Sequence, residues 1–478
     1  MSTGFLSDGL IASSAVPVRV PAGAQISSGV QLQDLIGNTP LVQVRSLDTG
    51  LCELFIKLEN CNPGGSIKDR IGRSMIEAAE QDGRIQAGST LIEATAGNTG
   101  LGLALIAAQK NYRLILVIPD KMSQEKVNHL KALGAEVVMT RSDVGRGHPE
   151  YYQDMAEEIA RQTPRSFYVN QFNNPANPAA HETTTAPEIW RQCDGRLDAV
   201  VCGVGSGGTL TGLSRYFAKV APHVEIVLAD PVGSVLADYV QTGRIGTAGS
   251  WLVEGIGEDF LPPIADLSRV RKAFTISDRE SFDTARELLR REGLLAGSSS
   301  GTLVAAALHY CRQQTEPKRV VTFACDSGNK YLSKMYNDNW LADQGFGKRE
   351  STGDLRDLIS RRFADQAVVT VGPSDPLYVA HTRMRLHDIS QLPVMQKDKI
   401  VGLLDESDLL LAVADDPAGF QQPVERHMIS RLVTVPRQAR MEDVRSILAG
   451  GLVVIVADEM GFHGLITRTD LLNYLRRR

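Results

Sequence analysis

Lys57-Leu-Glu-Asn-Cys-Asn-Pro-Gly-Gly-Ser-Ile-Lys-Asp-Arg70 reads as a strand that ends in a Pro-Gly-Gly turn and gives way to a helix from about Ser66. Proline fixes φ and glycine supplies the unusual backbone angles that a sharp turn needs. Lys68 then falls in the first helical turn, near the positive end of the helix dipole, where a cation is disfavoured. A lysine there serves better as a neutral amine or an imine than as a surface charge. Two readings stand side by side: a Schiff-base lysine for a carbonyl cofactor, and a solvated lysine that caps nothing.

The same grammar recurs on both sides of that stretch. Short apolar, β-branched runs at Leu54-Phe-Ile-Lys-Leu58, Leu114-Ile-Leu-Val-Ile118, Val137-Val-Met139, Ala199-Val-Val201, Glu225-Ile-Val-Leu228 and Val320-Val-Thr-Phe323 alternate with helix-like segments such as residues 71–81 and 125–132. Strand, helix, strand in this order, from about Leu32 to Leu341, predicts α/β layers with parallel strands, which hold their ligands where strands end and helices begin.

Three further loops stand at such junctions. Glu93-Ala-Thr-Ala-Gly-Asn-Thr-Gly-Leu-Gly102 follows the apolar Thr90-Leu-Ile92. It is either a nest of backbone N–H groups for an anion such as an amino-acid carboxylate, or an ordinary turn capped by Thr95 or Asn98. Cys202-Gly-Val-Gly-Ser-Gly-Gly-Thr-Leu-Thr-Gly212 is built to hold a phosphate through main-chain donors and the hydroxyls of Ser206 and Thr209. Its Gly203, Gly205 and Gly208 also spell G-x-G-x-x-G, with Asp230 ending the next strand, so a nicotinamide dinucleotide is a rival ligand. Glu292-Gly-Leu-Leu-Ala-Gly-Ser-Ser-Ser-Gly301 opens another helix with hydroxyls that are either solvated or set against a buried heteroaromatic nitrogen.

After Trp340 the polar, glycine-containing Gly345-Phe-Gly-Lys-Arg-Glu-Ser-Thr-Gly353 marks a boundary, and beyond it lies an internal repeat. Val368-Val-Thr-Val371, an amphipathic helix, Gln391-Leu-Pro-Val-Met395 and Gly402-Leu-Leu-Asp-Glu-Ser-Asp408 recur as Leu432-Val-Thr-Val435, a helix from Met441, Gly451-Leu-Val-Val-Ile455 and Gly464-Leu-Ile-Thr-Arg-Thr-Asp470. Two copies predict a pseudo-twofold pair, since one unit would leave its apolar sheet face uncovered. The expected organisation is an N-terminal arm over 1–29, a catalytic domain over 30–345, a linker over 346–362 and two repeat domains over 363–420 and 421–478.

Composition narrows the function classes. The chain has 478 residues, 43% of them hydrophobic and 22% charged, with 51 Lys and Arg against 56 Asp and Glu for a net charge of −5. That is neither a disordered composition nor the basic balance expected of a nucleic-acid or membrane-surface binder. Apolar runs such as residues 101–108 and 452–457 fall short of the roughly 18 residues needed to cross a bilayer. Residues 1–25 lack the basic start and apolar core of a secretion signal, so a cytoplasmic location is expected. The six cysteines form no C-x-x-C and have no histidines at zinc spacing, which predicts reduced thiols and no metal site.

Taken in order, Pro63-Gly-Gly-Ser-Ile-Lys68, Thr95-Ala-Gly-Asn-Thr99, Gly205-Ser-Gly-Gly-Thr209 and Gly297-Ser-Ser-Ser-Gly301 resemble the loops of fold-type II pyridoxal-phosphate enzymes. With the terminal repeat, the chain resembles the cystathionine β-synthase family. The resemblance implies an α/β core of the tryptophan synthase β type followed by a tandem CBS-domain (Bateman) module. It makes Lys68 the Schiff-base lysine and the general base and acid. It sets Asn98 against the cofactor's 3′-oxygen, Gly205, Ser206, Gly207, Gly208 and Thr209 around its phosphate, and Ser299 at its pyridine nitrogen. Thr95, Gly97, Thr99 and Gln171 would bind the substrate carboxylate. A neutral hydroxyl at the ring nitrogen favours prompt loss of a β-leaving group over a long-lived carbanion.

The implied reaction condenses L-serine with L-homocysteine to L-cystathionine and water, with hydrogen sulfide release from cysteine as a side activity. The stretch Val253-Glu-Gly-Ile-Gly-Glu-Asp-Phe260 favours it over O-acetylserine sulfhydrylase, whose corresponding loop is less acidic, and makes Glu254, Glu258 and Asp259 candidates to receive the amino group of homocysteine, unless they are solvated loop acids. Glu258 stands where animal and fungal forms have tyrosine, and Ala96 where many members have serine. No haem is expected, because residues 1–40 have no match to the animal haem segment, and the animal C-x-x-C near the phosphate loop is also missing. Thr467 and Asp470 fit the ribose grip of CBS modules, while the first copy has Asp405 in place of the threonine. At most one adenosyl site is therefore expected, for S-adenosylmethionine or an adenine nucleotide, unless the modules only pack and dimerise. The alternatives are a cysteine synthase carrying regulatory CBS domains, and an adenosyl sensor whose enzyme fold no longer turns over. A homo-oligomer with no nucleic-acid or membrane partner is expected.

Overall fold

The computed structural model describes residues 31–95, 97–120, 122–346, 351–414 and 417–476. The expected N-terminal arm, Ala96 and part of the connection before the repeat lie outside the described residues. Ten strands precede the repeat: β1 (Leu41–Gln43), β2 (Glu53–Leu58), β3 (Thr90–Ala94), β4 (Arg113–Pro119), β5 (Glu136–Thr140), β6 (Ser166–Tyr168), β7 (Ala199–Cys202), β8 (Glu225–Pro231), β9 (Val270–Ile276) and β10 (Arg319–Ala324).

They form two sheets, ordered β1-β2-β10-β7-β8-β9 and β5-β4-β3-β6. Every pairing is parallel except that of β1 with β2. Parallel strands are covered by helices on both faces, and β3 and β7 are buried at every position. The apolar runs anticipated from sequence lie in β2, β4, β5, β7, β8 and β10. β1 and β6 are too short, and β9 too charged along its exposed positions, to announce themselves.

Two glycines bring the sheets' loops together. The helix Lys68–Gln81 packs on the helix Asn98–Lys110 with backbones in contact: a Cβ on Gly72 would lie 2.6 Å from the carbonyl carbon of Gly102, and one on Gly102 would lie 2.6 Å from the Lys68 carbonyl oxygen. The first of these helices starts at Lys68 rather than Ser66, because Ser66 forms a bridge to Asp326 just beyond β10. Lys68 is thereby seated beside the start of the second helix.

In the repeat, β11 (Gln391–Gln396) pairs antiparallel with β12 (Lys399–Asp405), and β13 (Thr434–Val435), β14 (Val454–Asp458) and β15 (Gly461–Ile466) form the second sheet. Both hairpins carry a bulge, between Val394 and Met395 and between Val456 and Ala457, at the same separation as Asp408 and Asp470. The two copies share an apolar cluster of Met395, Ile455 and Phe462, with Ile400 and Leu465 packed against it. Each sheet thus covers what the other would leave bare. Among the described residues, no helix is long and apolar enough to cross a membrane.

Candidate active site

A cavity of about 540 Å³ opens where the loops of both sheets meet. It brings together Lys68, Thr95, Asn98, Thr99, Gln171, Gly205, Ser206, Gly207, Gly208, Thr209, Glu254, Glu258 and Ser299. Gly97 is the exception. Its N–H donates to Thr95 Oγ1 at 3.1 Å, its φ is +118°, and a Cβ there would meet Lys126 at 2.8 Å, so it makes the turn into the helix without lining the cavity.

Lys68 opens its helix and lines this space. Burial lowers its pKa from the ordinary lysine value, and Lys126 adds to the effect, while Cys325, Asp326 and Glu258 oppose it. Loss of hydration and a neighbouring cation both disfavour the ammonium form. Burial also pushes the Cys325 thiol up to about 12, so it stands by Lys68 as a neutral group.

The wall beyond β7 is made of main chain. A Cβ on Gly205 would lie 2.7 Å from the Gly255 carbonyl oxygen, and Gly207 adopts φ +92° with Ala265 packed at 2.6 Å from where a Cβ would be. Only glycine lets the chain lie this close while presenting N–H groups at the start of the helix Gly208–Val220. Two buried side chains fix the hydroxyls of the loop. Asn177 Nδ2 donates to Ser206 Oγ at 2.9 Å, and His181 Nε2 lies 3.2 Å from Thr209 Oγ1. His181 Nδ1 is 2.9 Å from Thr185 Oγ1. Burial, with Arg70 and Lys68 nearby, pushes this imidazole well below the usual histidine range, so it is neutral. His181 opens a π-helical turn, His181–Thr185, the kind of irregularity that re-aims a side chain.

An amine of lowered basicity, a glycine cradle with N–H donors and a buried hydroxyl at Ser299 suit, respectively, an aldehyde, a phosphate ester and a ring nitrogen. The residues present fit pyridoxal phosphate. Asn98 is held ready by two partners: its Nδ2 donates to Asp326 Oδ2 at 2.7 Å and its Oδ1 accepts from Lys330 Nζ at 3.0 Å.

The opposite wall is made of coupled side chains. Thr99 Oγ1 donates to Gln171 Oε1 at 2.7 Å, and Gln171 Nε2 donates to the Ala94 carbonyl at 3.2 Å and to Glu93 Oε1 at 3.3 Å. The acidic loop also faces the cavity, but Glu254 has a role the sequence did not announce. Its two oxygens each receive a lysine, Lys126 Nζ and Lys334 Nζ, both at 2.7 Å. Burial works against its charge, yet the two ammonium groups hold the carboxyl below its usual range. Lys126, itself buried, also donates to Tyr331 OH at 3.0 Å, and that phenol donates to Asp326 Oδ2 at 2.7 Å. Lys126, Tyr331, Asp326, Asn177 and His181 are site residues that sequence reasoning missed. Only Asp326 carried a signal, as an acid two residues past an apolar strand.

In the repeat, Asp470 Oδ2 accepts from Thr467 N at 2.7 Å and Thr467 Oγ1 at 2.6 Å, and Asp470 Oδ1 meets Ser360 Oγ. A second cavity in this module, of about 630 Å³, is lined by Lys399, Thr434, Asp458 and Phe462 among others, not by Thr467 or Asp470.

Residues 32–326 match the family model of the pyridoxal-phosphate dependent enzymes, and residues 355–415 and 424–477 match the CBS domain. The chain is 37% identical over 460 residues to cystathionine beta-synthase of Dictyostelium discoideum, covering 93% of this chain and 92% of that protein. It is 33% identical over 502 residues to the enzyme of that name from Saccharomyces cerevisiae, covering 94% and 99%. Among solved structures, an O-acetylserine dependent cystathionine beta-synthase from Helicobacter pylori superposes with a TM-score of 0.59 at 38% identity, over 63% of this chain and 97% of that one. A hydrogen sulfide-producing enzyme from Fusobacterium nucleatum superposes with a TM-score of 0.60 at 37% identity, over 64% and 100%.

Proposed function

Because this chain belongs to the pyridoxal-phosphate dependent enzymes and, within them, to the cystathionine β-synthase family, we propose that it joins L-serine to L-homocysteine, giving L-cystathionine and water. The coarser chemistry, a pyridoxal-phosphate dependent lyase working by β-replacement, follows from the family. The observation that carries the finer reading is Glu258, with Asp259, on the cavity wall and close enough to Lys68 to raise its basicity. A nucleophile that is itself an amino acid brings an ammonium group to be received there, whereas sulfide brings none. Glu254, engaged by two lysines, serves to hold Lys126 in place.

Pyridoxal phosphate, when bound, supplies the electron sink that makes the α-proton of an amino acid removable. Residues 205–209 would hold its phosphate, Asn98 its 3′-oxygen and Ser299 its ring nitrogen. The remaining steps belong to the chain. Thr95, Thr99 and Gln171 bind the serine carboxylate and fix the Cα–H bond toward Lys68. Lys68 Nζ takes that proton and delivers one to the departing β-hydroxyl, which leaves as water. The homocysteine sulfur then bonds to Cβ as its thiol proton passes to Lys68 Nζ, which delivers that proton to Cα. Thr467 and Asp470 are proposed to grip the ribose of an adenosyl ligand such as S-adenosylmethionine or an adenine nucleotide.

A second reading has O-acetylserine as first substrate, and its support is the Helicobacter pylori relative, whose description names that dependence. A competition assay separates the two. Holoenzyme receives serine, O-acetylserine, homocysteine and sulfide together, and products are resolved by mass spectrometry. Isotope-labelled serine should appear in cystathionine as the main product. Label entering only from O-acetylserine supports the second reading, and cysteine as the main product defeats the role given to Glu258.

A further inference from the structure

Glu93 lies within the motif that carries the substrate loop, yet none of the steps above uses it. It sits on β3, fully buried, with Oε1 3.3 Å from Gln171 Nε2 and no well-aligned donor on Oε2, although backbone N–H groups face the carboxyl. An acid in the interior of a parallel sheet needs a reason to be there, since burying an ionised carboxylate without full pairing is costly.

The reason lies in the count of donors. As arranged, Thr99 gives its hydroxyl proton to Gln171 Oε1, and Gln171 gives its amide protons toward Ala94 and Glu93. Every donor on these two side chains is then turned inward, and none faces a carboxylate in the cavity. Rotating the Gln171 amide by half a turn reverses this: Nε2 donates to Thr99 Oγ1, the Thr99 proton is released toward the cavity, and Gln171 Oε1 comes to face Glu93. That second arrangement gives up the bond to the Ala94 carbonyl and needs a donor at Glu93, which only a carboxylic acid, not a carboxylate, provides.

We propose that Glu93 is a positioning residue whose proton selects the Gln171 orientation that frees the Thr99 hydroxyl to bind the substrate carboxylate. The inference rests on the reading of Thr99 and Gln171 as the carboxylate site. Burial favours that proton by pushing the Glu93 carboxyl up to about 8, although the N–H groups of Gln171, Asn170 and Ala94 face it and draw it back part of the way. Of the titratable groups packed nearby, Tyr168 on β6 senses the charge of Glu93 and also those of Glu157 and Asp154 on the helix Tyr152–Gln162.

The test compares wild-type holoenzyme with Glu93→Gln, whose amide donates at every pH, and with Thr99→Ala. The serine KM and kcat are followed from about pH 7 to about pH 10, together with the infrared carbonyl band of a protonated carboxylic acid. In the wild type, KM should rise by about tenfold per pH unit above the Glu93 ionisation, because the ionised form locks the closed arrangement. Glu93→Gln should remove that slope, leave the pH dependence of kcat alone, and abolish an infrared band that fades with the same midpoint in the wild type. Equal KM slopes in the two proteins, or no such band at neutral pH, overturn the role of Glu93 alone. An unchanged serine KM in Thr99→Ala defeats the carboxylate site and Glu93's role with it. If Glu93→Gln does not accumulate as holoenzyme, the wild type decides: coincident midpoints of band and KM support the inference, and separated midpoints overturn it.

Discussion

The two walls of the cavity are built on opposite principles. The phosphate side consists of glycine backbone and neutral, buried supports: the loop through Gly205 and Gly207, with Asn177 behind Ser206 and His181 behind Thr209. The substrate side consists of coupled ionisable groups: Glu93 through Gln171 to Thr99, and Glu254 between Lys126 and Lys334. Main-chain donors on a helix start do not titrate, so a group that must stay bound through every turnover is held independently of pH. On the proposed assignment the substrates come and go, and their side of the cavity is where charge state is expected to decide occupancy.

Lys68 stands between the walls, and removing it should have the largest effect. Lys68→Ala should lower cystathionine formation by roughly 10²–10⁴-fold from lost proton transfer alone, since Lys126 and Lys334, the other lysines of the cavity wall, are engaged by Glu254. Retention of activity within tenfold would move the general base to another group.

Next come the buried charges of the substrate wall, whose two acids respond to pH in opposite senses. Glu254 lies below its ordinary range when folded, so its stabilisation is complete above that range and is lost as pH falls through the folded value. Glu93 lies above its range, so the native state loses stability as pH rises from the ordinary carboxylate region to about 8 and changes no further beyond it. Glu254→Gln strands two lysines, one of them fully buried, and should cost about 3 kcal/mol at neutral pH, converging on wild type in acid. Glu93→Gln should gain on wild type as pH rises from the ordinary carboxylate region to about 8, an interval in which the deficit of Glu254→Gln, opened at lower pH, stays constant. Thermal unfolding of holoenzyme at several pH values reads both, and parallel curves for the two variants would erase the contrast.

The phosphate wall should fail in a different currency. A Cβ on Gly208 would lie 1.8 Å from Asn177 Oδ1, so Gly208→Ala displaces the side chain that holds Ser206. Overpacking of this kind costs about 1–3 kcal/mol, and a loss near the lower end weakens cofactor binding by about tenfold. Equilibrium dialysis of pyridoxal phosphate should show this loss with no pH dependence. Thr99→Ala should keep its cofactor and raise the serine KM. The same phenotype in both variants would mean the walls are not separable.

Much of the phosphate wall was legible in the sequence, because a backbone that approaches a ligand or its own neighbours must be glycine, and that requirement is written residue by residue. The start of the Lys68 helix was legible for a related reason: the turn before it needs Pro-Gly-Gly. The supports were not. Lys126 belongs to a stretch that reads as a surface helix, and only the fold brings Glu254, 128 residues away, to bury and neutralise it. Asn177 and His181 likewise act across distance, on loop hydroxyls 29 and 28 residues further along. Glu254 was found but its two lysines were not, since a loop acid shows its charge in the sequence and not the cations that the fold brings to it. Glu93 did leave a mark, an acid inside the apolar Thr90-Leu-Ile-Glu-Ala94, and a charge in a wholly buried parallel strand is a signal worth following.

The two repeat copies replay the contrast at a smaller scale. In the first, Asp405 and Asp408 close a reciprocal capping box, each accepting the other's backbone N–H at 2.9 and 3.0 Å. Burial raises the Asp408 carboxyl, and the neighbouring Asp405 raises it further, so this corner resists additional negative charge. In the second, Thr467 replaces an acid with a hydroxyl and donates to Asp470, leaving a single carboxylate that a ribose can engage in place of Ser360. An adenosyl ligand at about ten times its Kd stabilises its site by about 1.4 kcal/mol. That is a shift of a few degrees in the melting of the module that holds it. Asp470→Ala should abolish the shift and Asp408→Ala should leave it in place. A shift that survives Asp470→Ala but not Asp408→Ala would assign the ligand to the first copy, and with it the conclusion that paired acids exclude a nucleotide would fall.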